Sequence, residues 1–194
     1  MQPNAPKKKG SFSAGGTKGL LLRAGLVLGG LTVLVIAAAV VVTSLGPKDS
    51  TVDLKAIAER QQEIIRVSTA ALRKTTGDDT TNFVMNVNLG IITSQQQMIG
   101  YLAAHGTQMD KVTLNLDQNT QTDTLLASAD TANNYDPAVT ENLTSQLQTY
   151  ETLLKATYKR TSNDATKKLL QNSFDSADLL LRQGNALTEV SRPR

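Results

Sequence analysis

The stretch 53-DLKAIAERQQEIIRVSTAALRK-74 decides the fold class. Leu54, Ile57, Ala58, Gln61, Ile64, Ile65, Ser68 and Leu72 recur at spacings of three and four, while Lys55, Glu59, Arg60, Arg66 and Arg73 take the other side. Residues three and four apart share one face of a helix, whereas strand residues on one face are two apart, so the period is helical. A stripe of this width has to be covered by other apolar surfaces, and the segment predicts an amphipathic helix within a bundle. Asp49 and Ser50 start it, and Gly77 offers a C′ stop.

Just upstream the chain needs a different solvent. Ala24 to Leu45, AGLVLGGLTVLVIAAAVVVTSL, carries no charged side chain. About 20 mostly apolar helical residues cross ~30 Å of hydrocarbon, so the run predicts a single transmembrane helix. Gly46 and Pro47 end it, because proline has no N–H and clashes with the preceding turn. Lys7, Lys8, Lys9, Lys18 and Arg23 precede the run and no acidic residue does. By the positive-inside rule the N-terminus stays cytoplasmic and everything after the span is extracytoplasmic. Ala37 to Ala39 offer a place for signal cleavage, but the apolar run continues through Val40, Val41 and Val42, beyond the ~7 to 15 residues of a signal core. An uncleaved signal anchor fits better. The basic tail and Gly19 ahead of an apolar run resemble a type IV prepilin leader, but Arg23 and Ala24 stand where that family carries an acidic residue.

The charges dispose of another class. A net charge of +3 and a pI near 9.2 suggest a nucleic-acid partner. Yet the residues before the span are +5 and the remainder is −2, so the basic character belongs to a short tail and no nucleic-acid partner is expected. The absence of cysteine removes disulfides and thiolate chemistry. With 4% aromatic residues and no Trp, aliphatic helix packing is favoured over a β-sandwich.

Downstream, Asp78 or Asp79 is expected to cap a second helix to about Ala104, with Val84, Val87, Ile91, Met98 and Leu102 on one face. No charge occurs between Asp79 and Asp110. This helix reads as the centre of the bundle, with Gly90 and Gly100 placed where another backbone comes close, and Met85, Leu89 and Ile99 as a candidate partner face. Amides at Asn86, Asn88 and Gln95 to Gln97 argue against a second span. A third helix, about Met109 to Ala132, is interrupted by 117-DQNTQTDT-124, which reads as a solvated edge or a kink. Asp136 and Pro137 look like an N-cap and N1. The fourth helix then carries Val139, Leu143, Leu147, Tyr150 and Leu154, and Ser162 or Asn163 caps a fifth that ends near Val190.

The fold class is therefore all-α: a single N-terminal transmembrane helix followed by an antiparallel up-down bundle of five helices, or of four with an irregular crossover if the third is broken. Residues 1–19 form a disordered basic tail, 20–46 the anchor, 47–50 a linker, 51–190 the extracytoplasmic bundle and 191–194 a tail.

The sequence carries no recognisable catalytic site, cofactor site or metal site. Glu-x-x-His pairs, a P-loop, a dinucleotide fingerprint and Gly-x-Ser-x-Gly are all absent. His105, followed by Gly106, reads as a helix end, where imidazolium suits the dipole. Glu59 and Glu63 share a face with Arg60 and Arg66 nearby and read as a solvated ion-pair network. Asn142-Leu143-Thr144 matches a glycosylation sequon inside a helix. In the span, Gly25 and Gly29 form a Gly-x-x-x-Gly pair suited to a homodimer contact. The expected partners are the lipid bilayer and another protein or a second copy of the chain. The expected role is non-enzymatic, structural or protein-binding at the cell envelope. The rival is a sensor ectodomain, since bacterial chemoreceptors and kinases are similar in plan. About 20 cytoplasmic residues are too few for an output domain, so such a sensor would signal through a partner.

Overall fold

The computed structural model of the chain describes residues 50–114 and 118–190. The predicted span, its basic tail and the Gly25–Gly29 pair lie outside the described residues. Among those described, regular structure is entirely helical, and no helix is long and apolar enough to cross a membrane.

Four long helices make the bundle: α1 (Ser50–Ala71), α2 (Asp78–Ala104), α5 (Tyr135–Arg160) and α6 (Asp164–Val190). Between α2 and α5 the crossover carries a single turn, α3 (Lys111–Leu114), and a short helix, α4 (Thr120–Thr131). Side-chain contacts give the order around the ring. Gln95 reaches the Ala58 carbonyl and Asn88 reaches Ser68, so α1 and α2 run antiparallel. Asn86 bonds Gln183 and Tyr101 bonds Thr166, which sets α2 antiparallel to α6. Asp53 pairs with Arg160 while Asp136 meets Gly77, so α1 and α5 are antiparallel too. The α5–α6 hairpin closes the ring in the order α1, α2, α6, α5. The seams foreseen from spacing fill its axis: Ile57, Ile64, Val84, Ile91, Met98, Leu143, Leu147, Tyr150, Leu154 and Leu170 are buried.

Five helices longer than a single turn are present among the described residues, as expected, but the third is broken and shortened to α4, so that four long helices form the ring and the third segment is an irregular crossover. Its interruption is written in caps. Asp110 Oδ1 accepts from the Thr113 amide (2.7 Å) and Asn119 Oδ1 from the Gln121 amide (3.0 Å), so each starts a new helix instead of continuing an old one. Only Thr122 and Leu126 of α4 are buried. The crossover lies against α1 and α5, with Arg66 bonding Asp123 (2.6 Å) and Lys74 bonding Asp130 (2.6 Å).

Other boundaries move for similar reasons. Helix α1 ends at Ala71, short of Gly77, in a turn where the Lys74 and Thr75 amides return to the Ala71 carbonyl. Gly77, not Asp78 or Asp79, is the N-cap of α2, and the two aspartates occupy its first turn, where negative charge suits the dipole. Asp136 lies inside α5, whose N-cap is Asn134, and its carboxylate is used elsewhere, on the Gly77 amide at 2.7 Å. The cap foreseen at Asn163 is present, its Oδ1 accepting from the Thr166 amide at 3.0 Å.

Nor is α2 central, since in a ring of four each helix keeps an outer side. Gly100 has open space beside it, and Gly90 faces only a Leu180 methyl. The close approach falls at Gly184, where an added Cβ would collide with Thr144 Oγ1 and lie 2.9 Å from Phe83 Cζ. There α6 presses on both α5 and α2, and only glycine fits.

Candidate functional site

Halfway along the axis each long helix contributes one polar side chain to a buried layer. Gln61 of α1 donates to the Tyr150 hydroxyl of α5 (2.7 Å) and to Ser94 Oγ of α2 (2.9 Å). Ser94 donates to Ser173 Oγ of α6 (2.9 Å) and lies 3.2 Å from the Tyr150 hydroxyl. With the Ser94 proton committed to Ser173, the phenol donates to Ser94. Burial pushes the Tyr150 phenol above its ordinary range, against the opposing effect of its hydrogen bonds to Ser94, Ser173 and Gln61. Gln61 Oε1 is buried without a partner. The layer holds a protonated phenol, two hydroxyls and an amide, with no base to activate any of them. Its physical role is to set register: sliding any helix by a turn would strand these groups in apolar surroundings.

A second polar seam lies under the crossover. Glu63 is 5% exposed and grips Arg66 through two bonds (2.8 and 2.9 Å), and Arg66 continues to Asp123. The expected ion-pair network is present, but at Glu63 it is buried under α4, not solvated. The surrounding carboxylates and their hydrogen bonds raise the Arg66 pKa beyond its already high value. Asn142 is buried and accepts from Gln146 (2.7 Å), which leaves the sequon no accessible acceptor in this fold.

His105 closes α2 as expected, its Nδ1 2.8 Å from the Tyr101 carbonyl and its ring stacked on Tyr101 at 4.1 Å. Among the described residues no group of His, Asp and Glu could hold a metal.

The outer side of α2 is the remaining candidate. Met85 is 41% and Leu89 58% exposed, and Ile99 is half-buried with Ile65 and Ile92 on the shoulder between α1 and α2. Across the α2–α6 groove the pairs Asn86–Gln183 and Ser94–Ser173 put Leu179, 69% exposed, level with Leu89. An open cleft of about 440 Å³, bordered by Leu89, Thr93, Gln97 and Asn172, lies beside them. Met85 and Leu89 thus sit on the outer side of α2, which carries no charged residue between Asp79 and its end, with Ile99 at the edge of that side. Leu179 joins them only through the fold, because in sequence it reads as one more residue of a leucine-rich helix.

No protein-family model matches the chain, and neither a curated protein nor a solved structure is significantly similar to it.

Proposed function

We propose that the chain is a membrane-anchored protein whose extracytoplasmic helical bundle serves a structural or protein-binding role at the cell envelope, without catalysis. The observation that carries this reading is the uncharged run Ala24 to Leu45 between a +5 tail and a remainder of the chain that is −2. The N-terminus is cytoplasmic and the bundle lies outside, joined through the short segment after Gly46-Pro47. Gly25 and Gly29 provide a helix-dimer contact within the span. The partner face is the uncharged side of α2 at Met85, Leu89 and Ile99. Exposed apolar side chains on a helix segment that carries no charge of its own favour contact with another protein surface.

Membrane extraction tests the anchor. The full chain is expected to stay with membranes through alkaline carbonate, and deletion of 24–45 to release it; a full chain released by carbonate would end the reading. For the partner face, Met85→Lys with Leu89→Lys is expected to leave the circular dichroism and Tm unchanged while abolishing crosslinks from a photoreactive residue at Thr93. Unfolding of this variant would make the face part of the core.

A further inference from the structure

We infer that the α5–α6 corner of the bundle is a docking surface for the anionic lipid surface of the membrane that anchors the chain, an inference that rests on the anchor proposed above. The sequence places an excess of positive charge there. Residues 155–168 hold Lys155, Lys159, Arg160, Lys167 and Lys168 against Asp164 alone, a net +4, which falls to +2 when the ion-pair partners of Lys155 (Glu151, 3.1 Å) and of Arg160 (Asp53) are counted with them. Residues 50–190 as a whole carry 12 basic and 16 acidic side chains, so the rest of the bundle is −8.

The fold puts this segment at the membrane end. Arg160 pairs with Asp53 in the first turn of α1, so the α5–α6 turn lies level with the start of α1. Only residues 46–49 separate α1 from the predicted span. At about 3.3 to 3.6 Å per extended residue, the linker holds this end within ~15 Å of the bilayer surface. That is comparable with the ~10 Å screening length at 0.1 M salt, so the lysines remain within reach of lipid charge.

Its surface chemistry is that of an interfacial contact. Tyr158 is 39% exposed, and Lys167 stands over its ring at 5.9 Å. Lys155 stands over Phe174 at 4.9 Å, beside an open cleft of about 180 Å³ lined by Leu154, Tyr158, Leu170 and Phe174. Ammonium groups above aromatic and aliphatic surface suit the headgroup region, where amphipathic rings and snorkelling lysines collect. The patch flanks the end without capping it, so contact requires the bundle to lean on its α5–α6 side. In the ring α1, α2, α6, α5 that posture turns the α1–α2 shoulder with Met85 and Ile99 away from the bilayer.

The test uses the full chain in nanodiscs of phosphatidylcholine with or without phosphatidylglycerol. Acetylation rates of individual lysines are read by mass spectrometry, with Lys74, at the opposite end, as the internal reference. Several-fold slower labelling of Lys155, Lys159, Lys167 and Lys168 only in the anionic discs, reversed by added salt and, for Lys155 and Lys167, lost in Lys159→Glu/Lys168→Glu, is the expected result. Equal labelling in both lipids, with the chain co-eluting with discs and amides 24–45 protected from exchange, would overturn the docking surface and leave the anchor standing. Protection by soluble polyphosphate but not by anionic discs would overturn it in favour of a soluble polyanion. A chain that does not co-elute with discs would remove the anchor and the docking surface together.

Discussion

Where α1 turns into α2, the Asp136 carboxylate of α5 accepts from the Gly77 amide at 2.7 Å and lies 3.3 Å from the Thr76 amide, and Lys74 bonds Asp130 of the crossover. At the opposite end, where α5 turns into α6, one ion pair, Arg160 with Asp53, ties the turn to α1, while Lys159 and Lys168 point into solvent. The first end uses its charges on itself, satisfying backbone donors that a tight turn leaves open. The second pairs Lys155 with Glu151 and sets Lys155 and Lys167 over the Phe174 and Tyr158 rings, but leaves the Lys159 and Lys168 ammonium groups to solvent. The difference teaches where substitutions are expected to act: near the α1–α2 turn on stability, near the α5–α6 turn on what the bundle meets.

The largest effect is expected where that contrast depends on packing. Gly184→Ala forces a methyl against Phe83 and Thr144, and is expected to cost about 1–3 kcal/mol. In a domain of this size that is a fall in Tm of about 2–4 °C per kcal/mol, read by calorimetry. An unchanged Tm would mean that α6 does not press on α2 and α5 there. Asp136→Ala is expected to cost about 1–2 kcal/mol by leaving the turn amides to water, measured by urea denaturation.

Midway between the ends, Tyr150 gives a pH signature. Its phenol titrates higher in the folded protein than in the unfolded chain, because burial disfavours the phenolate. The unfolded state therefore loses this proton first, above the ordinary value near 10, and stability falls as pH rises beyond it. Tyr150→Phe is expected to lose stability at neutral pH through the abandoned hydrogen bonds, yet to show a shallower decline in alkali. An identical alkaline slope would place the phenol in water. The smallest effect is expected at the basic corner: Lys159→Glu/Lys168→Glu leaves the urea midpoint within about 0.5 kcal/mol of the parent, as exposed substitutions do.

The apolar seams of α1, α5 and α6 were legible because burial and helical period coincide along them: Leu54, Ile57 and Ile64 or Leu143, Leu147 and Leu154 point one way whatever packs on them. The crossover was legible only as a weakness. Asn119 and Asp110 are ordinary polar residues in a list, and become caps only when a helix starts beside them. Gly184 and the buried layer were hidden for another reason. A sequence shows that Gln61 interrupts an apolar stripe, but not that Ser94, Tyr150 and Ser173 interrupt three other stripes at the same height. Of the proposed partner face, Met85 and Leu89 could be named from the charge gap in α2, whereas Leu179 needed the α2–α6 pairing. The net charge was equally deceptive until placed: the pI of 9.2 describes a tail, and within the negative bundle a further positive corner emerges only when the turn is set beside α1.

The cysteine-free chain allows a direct test of orientation. Single cysteines introduced as Ser13→Cys, in the basic tail, and Ser162→Cys, at the exposed α5–α6 turn, are treated in intact cells with a membrane-impermeant maleimide. A membrane-anchored, outward-facing bundle predicts labelling of residue 162 in intact cells and of residue 13 only after lysis. Labelling of residue 13 from outside, or protection of 162 until lysis, would contradict it.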